Sequence, residues 1–209
     1  MYAVILAGGI ASGKSSVGER LESLGAVRID LDVLSREVTG TGSAALTDIA
    51  QAFGEDVIDE TGALRRSVLA KRAFATDEKT RLLESITHPY ITARLLERLR
   101  ALEQTDDASV VVVEVPLLDR VEELIDVVDE VLVVTCPVDV RRVRAIGRGM
   151  DGRDFDARVA KQPTDEWLVA RADTVFDNTG TKQELIEEVD AWYAARTAAL
   201  GGAFAPEGI

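Results

Sequence analysis

The run Gly8-Gly9-Ile10-Ala11-Ser12-Gly13-Lys14-Ser15 fits the pattern G-x-x-x-x-G-K-[ST] and constrains this chain more than any other feature. Glycines at this spacing let the backbone wrap a polyanion with its amides pointing inward, and the helix that follows adds the partial positive charge of its N-terminus. Lys14 then reaches the outer phosphates of a nucleoside triphosphate, and the Ser15 hydroxyl takes a magnesium position. The flanks agree. Tyr2 to Ala7 reads as a buried strand, and Ser16 to Leu24 reads as a helix ending at Gly25.

Further apolar runs at Ala26 to Ile29, Val110 to Val115, Val131 to Thr135 and Thr174 to Phe176 bring the strands to five. The expected fold class is α/β, a three-layer P-loop nucleotide-binding fold with a central five-stranded parallel sheet, a helical insertion and a lid. The core is assigned to 1–32, 108–137 and 173–200, the insertion to 33–107 and the lid to 138–172. The tail 201–209, with three glycines and a proline, is expected to fray. Within the insertion, Ala44 to Phe53 reads as a helix ending at Gly54. A later helix carries Ile91, Leu95, Leu99 and Leu102 on one face, with Pro89 expected in its first turn. Thr181 and Glu184 have the spacing of a capping box and open the last helix, Lys182 to about Leu200.

With 209 residues, 46% of them hydrophobic, the chain can bury a sizeable core as one domain with insertions. A formal net charge of -13 argues against a general nucleic-acid or membrane-surface binder, so an anionic ligand must be held by local features. The single cysteine, Cys136, excludes an internal disulfide and reads as a small buried side chain. No basic leader precedes the first strand and no apolar stretch is long enough to span a membrane, so a cytoplasmic protein is expected.

A GTPase would show a D-x-x-G switch and an N-K-x-D base-reading motif, and neither stands in a suitable place. A small-molecule kinase of the P-loop class needs a groove for the acceptor, a carboxylate at the end of the second strand and cations on a closing cover. Asp30 and Asp32 supply the carboxylate: either could accept a hydroxyl proton or help order magnesium. Arg144 and Arg148, four residues apart, share a helical face and could clamp the transferred phosphoryl group, whereas Arg141 and Arg142 read as solvated.

At these positions the chain resembles the dephospho-CoA kinases. The resemblance runs from the first strand to about Gly180. It rests on the joint order of the phosphate loop through Ser16, Asp30 and Asp32 with Arg36, Phe53-Gly54, Gly62-Ala63-Leu64-Arg65-Arg66, His88-Pro89, Pro116-Leu117-Leu118, Arg144 with Arg148, Gln162, and Ala172-Asp173 with Asn178-Thr179-Gly180. It implies transfer of the γ-phosphate of ATP, as its magnesium complex, to the ribose 3′-hydroxyl of dephospho-CoA. Asp32 is then the general base, Lys14 the phosphate stabiliser, Ser15 a metal ligand, and Arg144 and Arg148 the lid arginines. ATP would be held by Gly9, Ile10, Ala11, Ser12, Gly13, Lys14, Ser15 and Ser16, with Asn178, Thr179 and Gly180 beside its adenine. The acceptor would meet Asp32, Arg36, Arg66, His88, Pro116, Leu117 and Leu118. Two other readings share the loop: another P-loop kinase acting on a nucleoside monophosphate or small metabolite, and a non-catalytic ATP-responsive regulator.

The chain also departs from the family pattern. Ala7 and Ala11 stand where Thr and Gly are usual, so the loop needs Ala11 in a conformation open to a residue with a β-carbon, and binding is expected to survive if its φ is negative. Glu114 and Asp119-Arg120 likewise replace other residue types.

Overall fold

The computed structural model describes residues 1–105 and 109–202 and divides the chain into two compact units, Leu31–Arg100 and the remainder. Five strands form the sheet: β1 (Tyr2–Ala7), β2 (Val27–Asp30), β3 (Val110–Glu114), β4 (Glu130–Thr135) and β5 (Thr174–Asp177). The helices among the described residues are α1 (Lys14–Ser23), α2 (Leu31–Val38), α3 (Ala44–Phe53), α4 (Arg66–Ala73), α5 (Asp77–Thr105), α6 (Val138–Gly147), α7 (Gly152–Val159), α8 (Asp165–Val169) and α9 (Lys182–Gly202).

The sheet is entirely parallel, in the order β2-β3-β1-β4-β5. Side chains alternate across it. Val4, Leu6, Val110, Val112, Leu132, Val134 and Phe176 join Val17 and Leu21 of α1 and Leu185, Val189 and Trp192 of α9 in one core. The residues between them, Ile5, Val111, Val113, Val131 and Val133, are just as deeply buried. Both faces are therefore covered, which is why the strands read as continuous apolar runs and the expected parallel α/β fold is present.

Strand ends shift by single residues for local reasons. Gly25, at φ 106, ends α1, and the Ala26 amide bonds back to the Leu21 carbonyl, so β2 starts only at Val27. β1 feeds a loop that Gly13 closes as the cap of α1, so this helix begins at Lys14, two residues before the expected start.

Glu130 opens β4 and is 2% exposed. It accepts from the Tyr2 hydroxyl at 2.8 Å, the Trp192 indole at 3.0 Å and Arg196 Nε at 2.7 Å, and from Thr174, tying three strands to α9. The expected capping box forms in α9: the Thr181 amide donates to Glu184 Oε2, and the Glu184 amide to Thr181 Oγ1. The helix reaches Gly202, and the expected frayed tail lies from residue 203 outside the described residues. Between β4 and β5 the three short helices α6 to α8 break at Gly149 and Pro163, with Asp151 capping α7 and Thr164 capping α8.

In the Leu31–Arg100 unit, Ile49, Phe53, Val57, Leu69 and Ala73 form a small core backed by Ile58, Leu64, Leu83 and Ile86. Gly62, at φ 81, makes the turn that pairs Leu64 with Ile58 and leads into α4. One expectation fails here. Pro89 does not open a helix but lies inside α5, which starts at Asp77. Leu83 and Ile86, upstream of the proline, pack into the core, and that burial offsets the missing amide and ring clash, a cost of about 3 kcal/mol. No helix among the described residues is long and apolar enough to cross a membrane.

Burial raises the Glu130 pKa, but its hydrogen bonds to Arg196, Thr174, Trp192 and Tyr2 outweigh this and bring it from 4.5 down to about 2. A depressed folded-state pKa adds stability that is complete above the unfolded value and is lost as pH falls toward 2. Glu130→Gln is expected to cost about 2–3 kcal/mol at neutral pH, with the gap to the unaltered protein closing as pH drops through 4 toward 2. Urea melts across that range check it.

Candidate active site

The loop Gly8–Gly13 leaves β1 at the carboxyl edge of the sheet and delivers its amides to the N-terminus of α1. Within it the Ser12 amide bonds to Gly9 O at 3.1 Å, and Ser16 N bonds to Gly13 O at 2.9 Å. The amides of Ala11, Gly13, Lys14 and Ser15 have no acceptor among the described residues. The first turn of α1 carries no acidic side chain of its own to offset the positive end of the helix. Such a set of unmet donors is an anion cradle.

Three side chains from distant elements brace this loop. Asn178, buried just past β5, donates its amide to the Ser12 carbonyl at 2.7 Å, and a β-carbon at Gly13 would collide with it. Gln162, after α7, accepts from the Ile10 amide at 2.8 Å. Arg141 of α6 packs so closely on Gly9 that any side chain there would strike its guanidinium. Arg141 is 4% exposed and pairs with Asp165 at 3.1 Å, which corrects its reading as a solvated residue. Its neighbour Arg142 is exposed, paired with Asp156.

The condition of a negative φ at Ala11 is not met: its φ is 59°, in the left-handed region. The geometry of the turn overrides the penalty on the β-carbon, about 1–2 kcal/mol for an L-residue.

A cavity of about 400 Å³ opens over the loop, lined by Gly8 to Ser16, Pro116, Leu117, Arg148, Arg158, Lys161 and Gln162. Ser15 is exposed there, and Lys14 Nζ lies 2.8 Å from Glu114 Oε1. Arg148 caps α6 and faces the cavity, whereas Arg144 turns its guanidinium to Cys136 Sγ at 3.4 Å. Burial pushes the Cys136 thiol up, against the pull of Arg144 and Arg141. Leu118 is turned into the core rather than the cavity. Thr179 and Gly180 form an exposed turn after β5, where Asp177 accepts from the Thr179 amide at 2.9 Å.

Two cavity cations, Arg158 and Lys161, were not singled out in the sequence. Their three-residue spacing at the end of α7 was the available signal. Glu114 was noted only as a departure. Its buried carboxylate in fact joins Lys14 to Arg28, whose Nε lies at 2.8 Å from Oε2. Burial raises the Glu114 pKa, but the hydrogen bonds and charges of Lys14 and Arg28 prevail and hold its carboxyl below the usual range.

The remaining candidates belong to the Leu31–Arg100 unit. Asp32 lies in the exposed first turn of α2, two residues after β2 ends, and Arg36 in its last turn. Arg66 opens α4, 3.4 Å from Thr39 Oγ1, at an apolar cavity of about 260 Å³ between Ile49, Leu69, Phe74 and Leu83. His88 sits in the middle of α5.

A phosphate cradle after the central strand of a parallel sheet in this order, with cations facing it from the segment before β5, defines a P-loop phosphotransferase. A profile of the dephospho-CoA kinase family matches residues 2–184. The chain belongs to that family. A dephospho-CoA kinase of Corynebacterium jeikeium is 43% identical over 194 residues, covering 92% of this chain and 98% of the relative. Among solved structures, TT1252 of Thermus thermophilus matches with a TM-score of 0.76 at 30% identity, over 93% of this chain and 97% of that one. Dephospho-CoA kinase from Campylobacter jejuni has the same fold, with a TM-score of 0.72 at 24% identity over 94% and 98%.

Replacing Ala11 by glycine removes the clash of its β-carbon. Ala11→Gly is expected to raise stability by about 0.5–1 kcal/mol, read as a higher midpoint in urea.

Proposed function

We propose that the protein phosphorylates the ribose 3′-hydroxyl of dephospho-CoA at the expense of ATP, giving CoA and ADP. The observation that carries this reading is the cradle itself: four unmet amides, Lys14 and Arg148 around one cavity, in a chain of this family. The triphosphate lies in the loop with its outer phosphates at Lys14, and the cations Arg148, Arg158 and Lys161 take up charge as the phosphoryl group moves. Arg144 joins them only if its side chain leaves Cys136.

The metal that accompanies ATP is magnesium in this reading. The exposed Ser15 hydroxyl at the start of α1 suits it, a hard oxygen donor beside the phosphate cradle. When bound, magnesium offsets the charge of the phosphate oxygens. Asp32 is assigned as the base that takes the proton of the ribose hydroxyl, supported by its place two residues past β2. The acceptor is held by the 33–107 insertion through Arg36, Arg66 and His88, and by Pro116 and Leu117. The 138–172 segment acts as the lid and excludes water, a competing acceptor. Asn178 to Gly180 border the adenine. The reaction belongs in the cytoplasm, the compartment of ATP and of an unpaired thiol such as Cys136.

ADP release measured with dephospho-CoA, with nucleoside monophosphates and without acceptor tests the assignment. Stimulation by dephospho-CoA alone is expected, and stimulation by a nucleoside monophosphate instead overturns it. Lys14→Ala is expected to lower kcat by about 10²–10³-fold with the fold intact. Asp32→Asn is expected to lower kcat by about 10²-fold or more, and unchanged turnover removes it as the base.

A further inference from the structure

The lysine that must grip the nucleotide is held elsewhere in this structure. Lys14 Nζ sits 2.8 Å from Glu114 Oε1, and Glu114 is 6% exposed, so withdrawing the lysine from it threatens to strand a buried carboxylate. The two oxygens of Glu114 are used separately. Lys14 takes Oε1, while Arg28, on the neighbouring strand β2, places both Nε and Nη2 on Oε2. In the β2–β3 ladder Arg28 is the register partner of Val112 and Asp30 that of Glu114, so Arg28 stands two residues before Glu114's partner and reaches along that face to the carboxylate. Gly18 leaves the space: a β-carbon there would stand 3.1 Å from Arg28 Nε and 3.4 Å from Glu114 Oε2. Glu22, 3.9 Å from Arg28 Nη1 and mostly exposed, is a weak second partner.

We infer that Arg28 is a positioning residue for nucleotide binding: it is the standing counter-ion of Glu114 that lets Lys14 leave for the phosphates. With Arg28 in place, Lys14 exchanges one anion for another and Glu114 stays paired through Oε2. Without it, the same movement leaves the carboxylate buried and alone, and the protein opposes binding by that cost. Arg28 touches no phosphate in this account and acts only through Glu114 and Lys14. The inference rests on the reading of the loop as an ATP site.

The test is a thermodynamic cycle on the full chain, titrating a non-hydrolysable ATP analogue with magnesium. Arg28→Met is expected to weaken binding about tenfold or more, with kcat at saturating ATP within about threefold of the unaltered protein. Glu114→Gln is expected to bind at least as tightly as the unaltered protein, and the double variant R28M/E114Q to recover to within about threefold. In a Lys14→Ala background, Arg28→Met should have no further effect. Thermal melts of each variant verify folding, and Arg28→Gln replaces R28M with the same expectation should R28M not fold. Unchanged affinity in the Arg28 variant while Lys14→Ala is weakened overturns the role of Arg28 alone. So does a loss that persists in the double variant. Lys14→Ala binding as tightly as the unaltered protein overturns the nucleotide reading itself.

Discussion

A loop with four main-chain amides that meet no acceptor among the described residues cannot hold its own shape unaided, and that requirement organises the sheet-containing unit. The hydrogen bonds a turn would normally make with itself are given up at Ala11, Gly13, Lys14 and Ser15. Rigidity has to come from outside: Asn178 on the Ser12 carbonyl, Gln162 on the Ile10 amide, and Arg141 wedged on Gly9. Each brace comes from a different element late in the chain, so the sheet, with β1 central, is what brings them to one edge. Glycine at 9 and 13 is demanded by these neighbours as much as by the phosphate.

Charge is handled by the same economy. In a chain of net charge -13, cations are concentrated where the anion goes and are kept in check by carboxylates paired to them. Glu114 steadies Lys14 and Arg28, Asp165 steadies Arg141, and Glu130 uses Arg196 to bind α9 to the sheet. Pairing lets the site assemble without repulsion among its cations, while the exposed Arg148 remains turned to the cavity.

Much of this was legible in the residues. Five apolar runs separated by helical patterns sufficed for the sheet, because a doubly covered parallel strand has no polar face to disguise it. The phosphate loop was legible because its chemistry is local, eight consecutive residues. What was hidden is non-local. Glu114 meets partners 86 and 100 positions away, and nothing in Val110-Val111-Val112-Val113-Glu114 announces them. Arg141 looked like one more surface arginine, since its burial depends on the docking of α8 and Asp165. Pro89 misled because the rule for helix starts is local, whereas α5 is held by Leu83 and Ile86 against the core of its unit. The φ of Ala11 likewise followed the turn rather than the preference of alanine.

The bracing of Ser12 by Asn178 also orders events during synthesis. The glycine loop leaves the ribosome well before β5, so a nascent chain carries the nucleotide motif long before the amide that fixes it exists. The brace forms only once β5 has docked beside β4 and carried Asn178 to the loop. A chain that stops short of β5 keeps the glycine loop and lacks the Asn178 brace on it.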